Sequence, residues 1–158
     1  MPLSRIGAEG GARNSHVLPA LIRKIHEAKQ RGDGNVTLWG SGRPRREFLF
    51  SDDMADACVF LMRLAEVEFG RLVAPTQAPL INIGAGEDQS IAELAALVAD
   101  VLGYKGEFVY DASKPDGTPR KLLDVSRITA LGWKFKVDLR QGIALAYRDF
   151  LQRHAVAA

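Results

Sequence analysis

Apolar residues step by three and four along several stretches of this chain, and short apolar runs bounded by glycine and proline separate them. Met54, Ala57, Cys58, Leu61 and Ala65 fall on one face of a helix predicted to open at Ser51 or Asp52 and run to about residue 69. Ile91, Leu94, Leu97, Val98, Val101 and Leu102 form a second stripe. Ser90 and Glu93 precede it with the spacing of a capping box, in which hydroxyl and carboxylate each satisfy an orphan backbone N–H. Gly103 is the predicted stop. A third stripe, Leu139, Ile143, Tyr147, Phe150 and Leu151, is predicted to face inward on a last helix capped by Asp138. A further helix is predicted over residues 16–30, with Ser15 as cap and Pro19 tolerated in the first turn.

Short strands are predicted at residues 36–39, 47–50, 80–83 and 107–110, with a brief extended piece at 121–124. Glycine, proline and charge mark turns or loops at 31–35, 40–44, 70–79 and 111–120. Residues 1–13 hold Gly7, Gly10 and Gly11 without periodicity and read as a loop or disordered lead. The body of the domain is residues 14–151, and 152–158 is a tail. No internal repeat is visible. Strands alternating with about four main helices indicate an α/β architecture. The strand set is too small for a complete, free-standing Rossmann domain.

Length limits the chain to one domain, and no apolar run reaches the ~18 residues of a membrane span. Nothing in the first residues resembles a secretory leader, and Cys58 is the sole cysteine, so the cytoplasm is the expected compartment. Net charge is only +2, which gives no case for nucleic acid. Its distribution is uneven: residues 1–50 carry +5 and the rest −3. A basic first third suits an anionic small ligand, or equally a solvated basic face.

Candidate chemistry narrows by elimination. Ile81-Asn82-Ile83-Gly84-Ala85-Gly86 imitates a dinucleotide-binding turn, but Gln89 stands where a third glycine belongs and Glu87 and Asp88 would oppose phosphates. A tight strand-to-helix turn is the better reading. His16, His26 and His154 lack metal-ligand spacing. No Gly-x-Ser-x-Gly elbow occurs. Two polar loops remain. In the first, Trp39 and the guanidinium groups of Arg43, Arg45 and Arg46 lie within eight residues. Guanidinium grips phosphate through paired hydrogen bonds, and indole offers a flat surface to a sugar or base. In the second, Pro115 and Pro119 stiffen a run containing Lys114, Asp116 and Lys121. Taken alone, each is also compatible with a solvated charged turn.

The residues then become recognisable. Asn14 to Lys24, Trp39-Gly40-Ser41-Gly42, Arg45-Arg46-Glu47-Phe48-Leu49, Asp52-Asp53-Met54-Ala55 and above all Ser113-Lys114-Pro115-Asp116-Gly117-Thr118-Pro119-Arg120-Lys121-Leu122-Leu123-Asp124 resemble the GDP-L-fucose synthases, extended short-chain dehydrogenase/reductases. The resemblance covers nearly everything from Asn14 to Leu151 and implies the C-terminal, substrate-binding half of such an enzyme. That family inverts two ring carbons of GDP-4-keto-6-deoxy-D-mannose and reduces the ketone with NADPH, giving GDP-L-fucose. The resemblance implies that His16 is an acid/base group, which an imidazole titrating near neutrality suits. It implies that Lys24, Trp39, Arg46, Asp116 and, less directly, Lys121 contact the nucleotide sugar, with Arg46 on the diphosphate. Arg43 and Arg45 are left as electrostatic support.

The family's cofactor turn and its catalytic Ser, Tyr and Lys find no match here. NADP(H) therefore belongs to the intact family enzyme, no cofactor site is expected in this chain apart from possible contact by His16, and the chain alone is expected to lack reductase activity. A non-catalytic GDP-sugar-binding module and a non-functional remnant of a truncated gene are the alternatives. The helix near 52–69 and the strand near 80–83 would lack the layer they cover in the family. An exposed apolar patch is expected there, open to a Rossmann-domain partner or to self-association.

Overall fold

A computed structural model describes residues 16–73 and 78–155. The elements run α1 (Val17–Arg31), β1 (Asn35–Trp39), β2 (Arg45–Glu47), α2 (Ser51–Met62), α3 (Glu66–Leu72), β3 (Asp88–Ser90), α4 (Ile91–Leu102), β4 (Glu107–Asp111), β5 (Arg120–Lys121), α5 (Ser126–Ala130) and α6 (Leu139–Ala155). The architecture is α/β, with six helices and few, short strands among the described residues.

Two helix–strand units form the centre. Helices α1 and α4 each end at a glycine, Gly32 and Gly103, and a strand starts a few residues later. Gly103 adopts φ 67°, a left-handed turn that residues with a Cβ rarely take. The strands pair in parallel, from Asn35 opposite Glu107 to Trp39 opposite Asp111. The turns are stitched together by Lys29 Nζ on the Leu102 carbonyl (2.6 Å) and the Tyr104 hydroxyl on the Asp33 carbonyl (3.1 Å). Leu21, Ile22 and Ile25 of α1 meet Val36 and Leu38 of β1, Leu94 and Val98 of α4, and Ile143 of α6 in one core. The α4 capping box is present as expected, Ser90 Oγ accepting from Glu93 N and Glu93 from Ser90 N. Ser90→Ala is expected to lower stability by about 1 kcal/mol, read from the urea midpoint.

A smaller antiparallel-and-parallel sheet, β3-β2-β5, lies apart from β1 and β4. Arg46 is opposite Gln89 on one side and Lys121 on the other. A second core of Ala57, Ile128 and Trp133 joins α2 to α5, a helix that the sequence pattern did not suggest.

Several expectations are corrected. Ser15 and the 1–13 lead lie outside the described residues, and the residue at the N-cap of α1 is His16, whose side chain makes no cap bond. The strand expected at 47–50 ends at Glu47, and of the extended piece expected at 121–124 only Lys121 pairs, together with Arg120 before it. The helix expected to reach residue 69 breaks after Met62 and resumes at Glu66. Its inward positions are Asp53 and Ala57; Met54 and Cys58 face out, because the Asp53 carboxylate is claimed by backbone N–H groups of residues 136 and 137. Residues 80–83 form no strand, and Leu80 is 72% exposed. No neighbouring strand among the described residues satisfies that segment's backbone, so its apolar sequence alone does not make it extended sheet. On α6, Asp138 caps as expected, its carboxylate accepting from Gln141 N, but Leu151 points outward and the helix continues to Ala155 into the presumed tail.

Exposed apolar side chains stand in the segments where the patch is expected. Val59 and Met62 on α2, Val67 and Phe69 on α3, and Leu80 all face out, with Met62 84% exposed.

Candidate functional site

Strand β1 delivers Trp39 at its C-terminal end, where the indole is 53% exposed. Helix α1 runs back along the strand, and Lys24 donates from Nζ to the Thr37 carbonyl at 2.7 Å. The same ammonium stands 5.9 Å from the centre of the Trp39 ring. From the loop after β4, Lys114 reaches the same ring at 5.9 Å.

The chain then turns through Gly40 to Pro44. Asp116 locks this turn: its carboxylate accepts from Ser41 N (2.8 Å) and Ser41 Oγ (2.6 Å). Gly40 sits at φ 79° so close to that carboxylate that a Cβ there would lie 2.4 Å from Asp116 Oδ1. The Ser41 hydroxyl and then its N–H hold the Asp116 carboxyl below the usual carboxylate range. Arg46 completes the surface, with Nη1 donating to the Thr118 carbonyl (2.6 Å) and the Arg45 carbonyl (2.7 Å). Lys121 stands opposite Arg46 on the adjacent strand.

Lys24 thus stands by Trp39, Asp116 is tied to the turn that follows Trp39, and Arg46 joins the loop that carries Asp116, with Lys121 beside it on β5. His16 occupies the N-cap position of α1. It caps the end of α1 nearest the C-terminal end of β1, about 12 Å of helix beyond Lys24. Two open hollows of about 500 and 510 Å³ lie elsewhere, one against α2 and residues 131–136, the other at the C-terminal ends of α1 and α4. None of the predicted site residues lines either.

Beneath it, charges hold the β3-β2-β5 sheet together. Asp88, its side chain 5% exposed, binds Arg45 Nε at 2.9 Å and Arg120 Nε, and Arg45 also reaches Glu93 at 3.2 Å. Arg45 is thus a structural clamp rather than a loose electrostatic support, and Asp88 faces guanidinium instead of a phosphate. Glu47 does similar work: its carboxylate accepts from Gly86 N (2.6 Å) and Leu123 N (3.0 Å). The glycine turn at 84–86 is filled by that side chain, as its reading as a plain turn requires.

The Arg120 and Arg45 guanidinium groups lower the Asp88 pKa from its ordinary value. A carboxyl lowered on folding stabilises the fold above its unfolded pKa of about 4, and that contribution is lost as pH falls through the lower folded value. Urea midpoints of the wild type and Asp88→Asn are therefore expected to differ at neutral pH and to converge as pH drops below about 4. A gap that persists unchanged into acid would refute the assignment.

Sequence reasoning missed Ser41 as the partner of Asp116. A hydroxyl between two glycines in a turn was the available signal, but nothing local pointed to a carboxylate 75 residues away.

The family model for the NAD dependent epimerase/dehydratase family matches residues 1–73. A GDP-L-fucose synthase from Escherichia coli is 51% identical over 139 residues, covering 88% of this chain and 43% of that protein. GDP-L-fucose synthase 1 of Arabidopsis thaliana is 49% identical over 140 residues, covering 88% of this chain and 40% of its own length. Among solved structures, a GDP-L-fucose synthetase from Naegleria fowleri bound to NADP superposes with a TM-score of 0.73 at 28% identity, over 89% of this chain and 41% of that one. A GDP-mannoheptose reductase from Campylobacter jejuni with NADP bound gives 0.70 at 39% identity, over 86% and 45%. The chain spans less than half the length of these relatives. It belongs to the NAD dependent epimerase/dehydratase family, and within it to the GDP-L-fucose synthase branch.

Proposed function

We propose that this chain is the substrate-gripping portion of a GDP-L-fucose synthase-like oxidoreductase. Trp39 offers its plane to the nucleotide sugar, Arg46 takes the diphosphate, and Lys24, Asp116 and Lys121 complete the grip. His16 serves as an acid/base group for the ring inversions. The observation that carries this reading is the Asp116–Ser41 latch, which draws the proline-braced loop against the turn after Trp39 and gathers separate stretches of chain into one basic, aromatic face.

The face is open, which fits a site whose opposite wall comes from the remaining length of the relatives. That remainder would supply the NADP(H) site and cover the apolar surface of α2, α3 and Leu80. Met62→Glu is accordingly expected to reduce self-association of the chain by itself, as measured by sedimentation velocity.

The test is calorimetric titration of GDP into the 158-residue chain. Saturable binding that weakens as salt rises is expected, because the contacts are ionic and solvent-exposed. No NADPH oxidation should accompany it. Absence of GDP binding at millimolar ligand would remove the reading and leave a remnant with no ligand, whereas NADPH turnover by this chain would overturn the division of labour.

A further inference from the structure

We infer that Lys114 is a further phosphate-gripping residue of this site, held in advance over the Trp39 indole as the counterpart of Lys24. The inference deepens the GDP-sugar reading and rests on it. Lys24 lies on α1 and Lys114 in the loop after β4, yet their ammonium groups stand at the same 5.9 Å from one ring.

The backbone explains why Lys114 is there. Its N–H donates to the Asp111 carbonyl at 3.2 Å, closing a turn at the end of β4. Inside that turn the Asp111 carboxylate accepts from Ser113 N (3.0 Å) and Ser113 Oγ (2.6 Å). Pro115 follows with a fixed φ, and Asp116 is fastened to Ser41. The lysine is therefore carried on a segment tied down on both sides. Preorganising that segment lowers the ordering cost of binding.

The chemistry then selects the ligand group. The carboxylates that flank Lys114 in the sequence, Asp111 and Asp116, accept hydrogen bonds from Ser113 and Ser41. A cation over an exposed indole is held only weakly, so the ammonium is free to turn toward a stronger acceptor. Lysine is a compact charge with three donors that needs no fork geometry, which suits a phosphate oxygen. Arg46 bonds to Thr118 on the same loop. Lys114 and Arg46 thus approach from the two ends of residues 114–118, and a nucleoside diphosphate is the ligand class that uses both.

Calorimetric titrations of GDP, GMP and guanosine into wild type, Lys114→Met and Lys114→Arg test this. Lys114 is exposed, so thermal unfolding of the variants should match the wild type. For Lys114→Met we expect GDP affinity to fall roughly tenfold, with GMP affected less and guanosine not at all, and the salt dependence to become shallower. Lys114→Arg should restore most of the loss. If wild type binds GDP and Lys114→Met binds it equally well, the inference is wrong and the proposed function stands. A loss of equal size for guanosine also overturns it, since that would mark an effect on the base platform. If the wild type binds none of the three ligands, both readings fall together.

Discussion

Asp53→Ala is expected to destabilise the chain by about 3 kcal/mol, lowering the urea midpoint by roughly 1.5 M and the melting temperature by about 10 °C. Asp53 is a buried carboxylate, 3% exposed on the inner face of α2. One carboxylate oxygen accepts from Lys136 N at 3.1 Å and the other from Val137 N at 3.0 Å. Alanine would leave both N–H groups facing an apolar side chain in a part-buried setting, and each unmet donor costs about 1–3 kcal/mol. One turn further on, Asp56 accepts from Trp133 Nε1 (3.0 Å) and Lys136 Nζ (2.8 Å), so two successive turns of α2 hold the 133–137 segment. Asp53→Asn keeps one acceptor oxygen but turns an NH2 group toward the other donor, and about half the loss is expected. A chemical denaturation curve for Asp53→Ala within about 0.5 kcal/mol of wild type would mean that the segment is held by Trp133 packing alone.

This residue also shows where sequence reading stops. The apolar stripes of α4 and α6 announced themselves because a helix packed on one side needs its hydrophobic positions at three- and four-residue steps. Helix α2 obeys the same rule with a carboxylate in one inward place, so a stripe drawn from apolar residues alone pointed to Met54 and Cys58. The break between Met62 and Glu66 passes through Leu64 and Ala65, neither of them a helix breaker, and could not be read from local preference. Strands were harder still, since an extended segment is defined by its partner and residues 80–83 have none among the described residues.

The site divides in the same way. Trp39 and Arg46 stand out locally, through residue type and spacing. Their association with Asp116 depends on contacts spanning some seventy residues, and only the likeness to a known family suggested it in advance. The role of Arg45 escapes sequence reading for a related reason. Charge near a presumed phosphate site looks like ligand chemistry until its partner is seen, and here the partners are each other.

Arg46→Ala is expected to weaken GDP binding about a hundredfold, the second large effect. Two charge-assisted bonds from a guanidinium to phosphate are worth about 1.5 kcal/mol or more each, and ~2.8 kcal/mol corresponds to a factor of a hundred. Nη1 is engaged with the Arg45 and Thr118 carbonyls, which fixes the guanidinium plane and leaves its remaining donors for a ligand. The substitution therefore removes both a phosphate contact and a tie between β2 and the 115–119 loop. Arg46→Lys separates the two. It keeps the charge but not the fork, and should bind GDP roughly tenfold more weakly than wild type while recovering part of the alanine loss. Guanosine affinity should change far less than GDP affinity in either variant. If Arg46→Ala instead lowers the melting temperature yet binds GDP like the wild type, Arg46 is a structural tie only, and the diphosphate must be held by the lysines around Trp39.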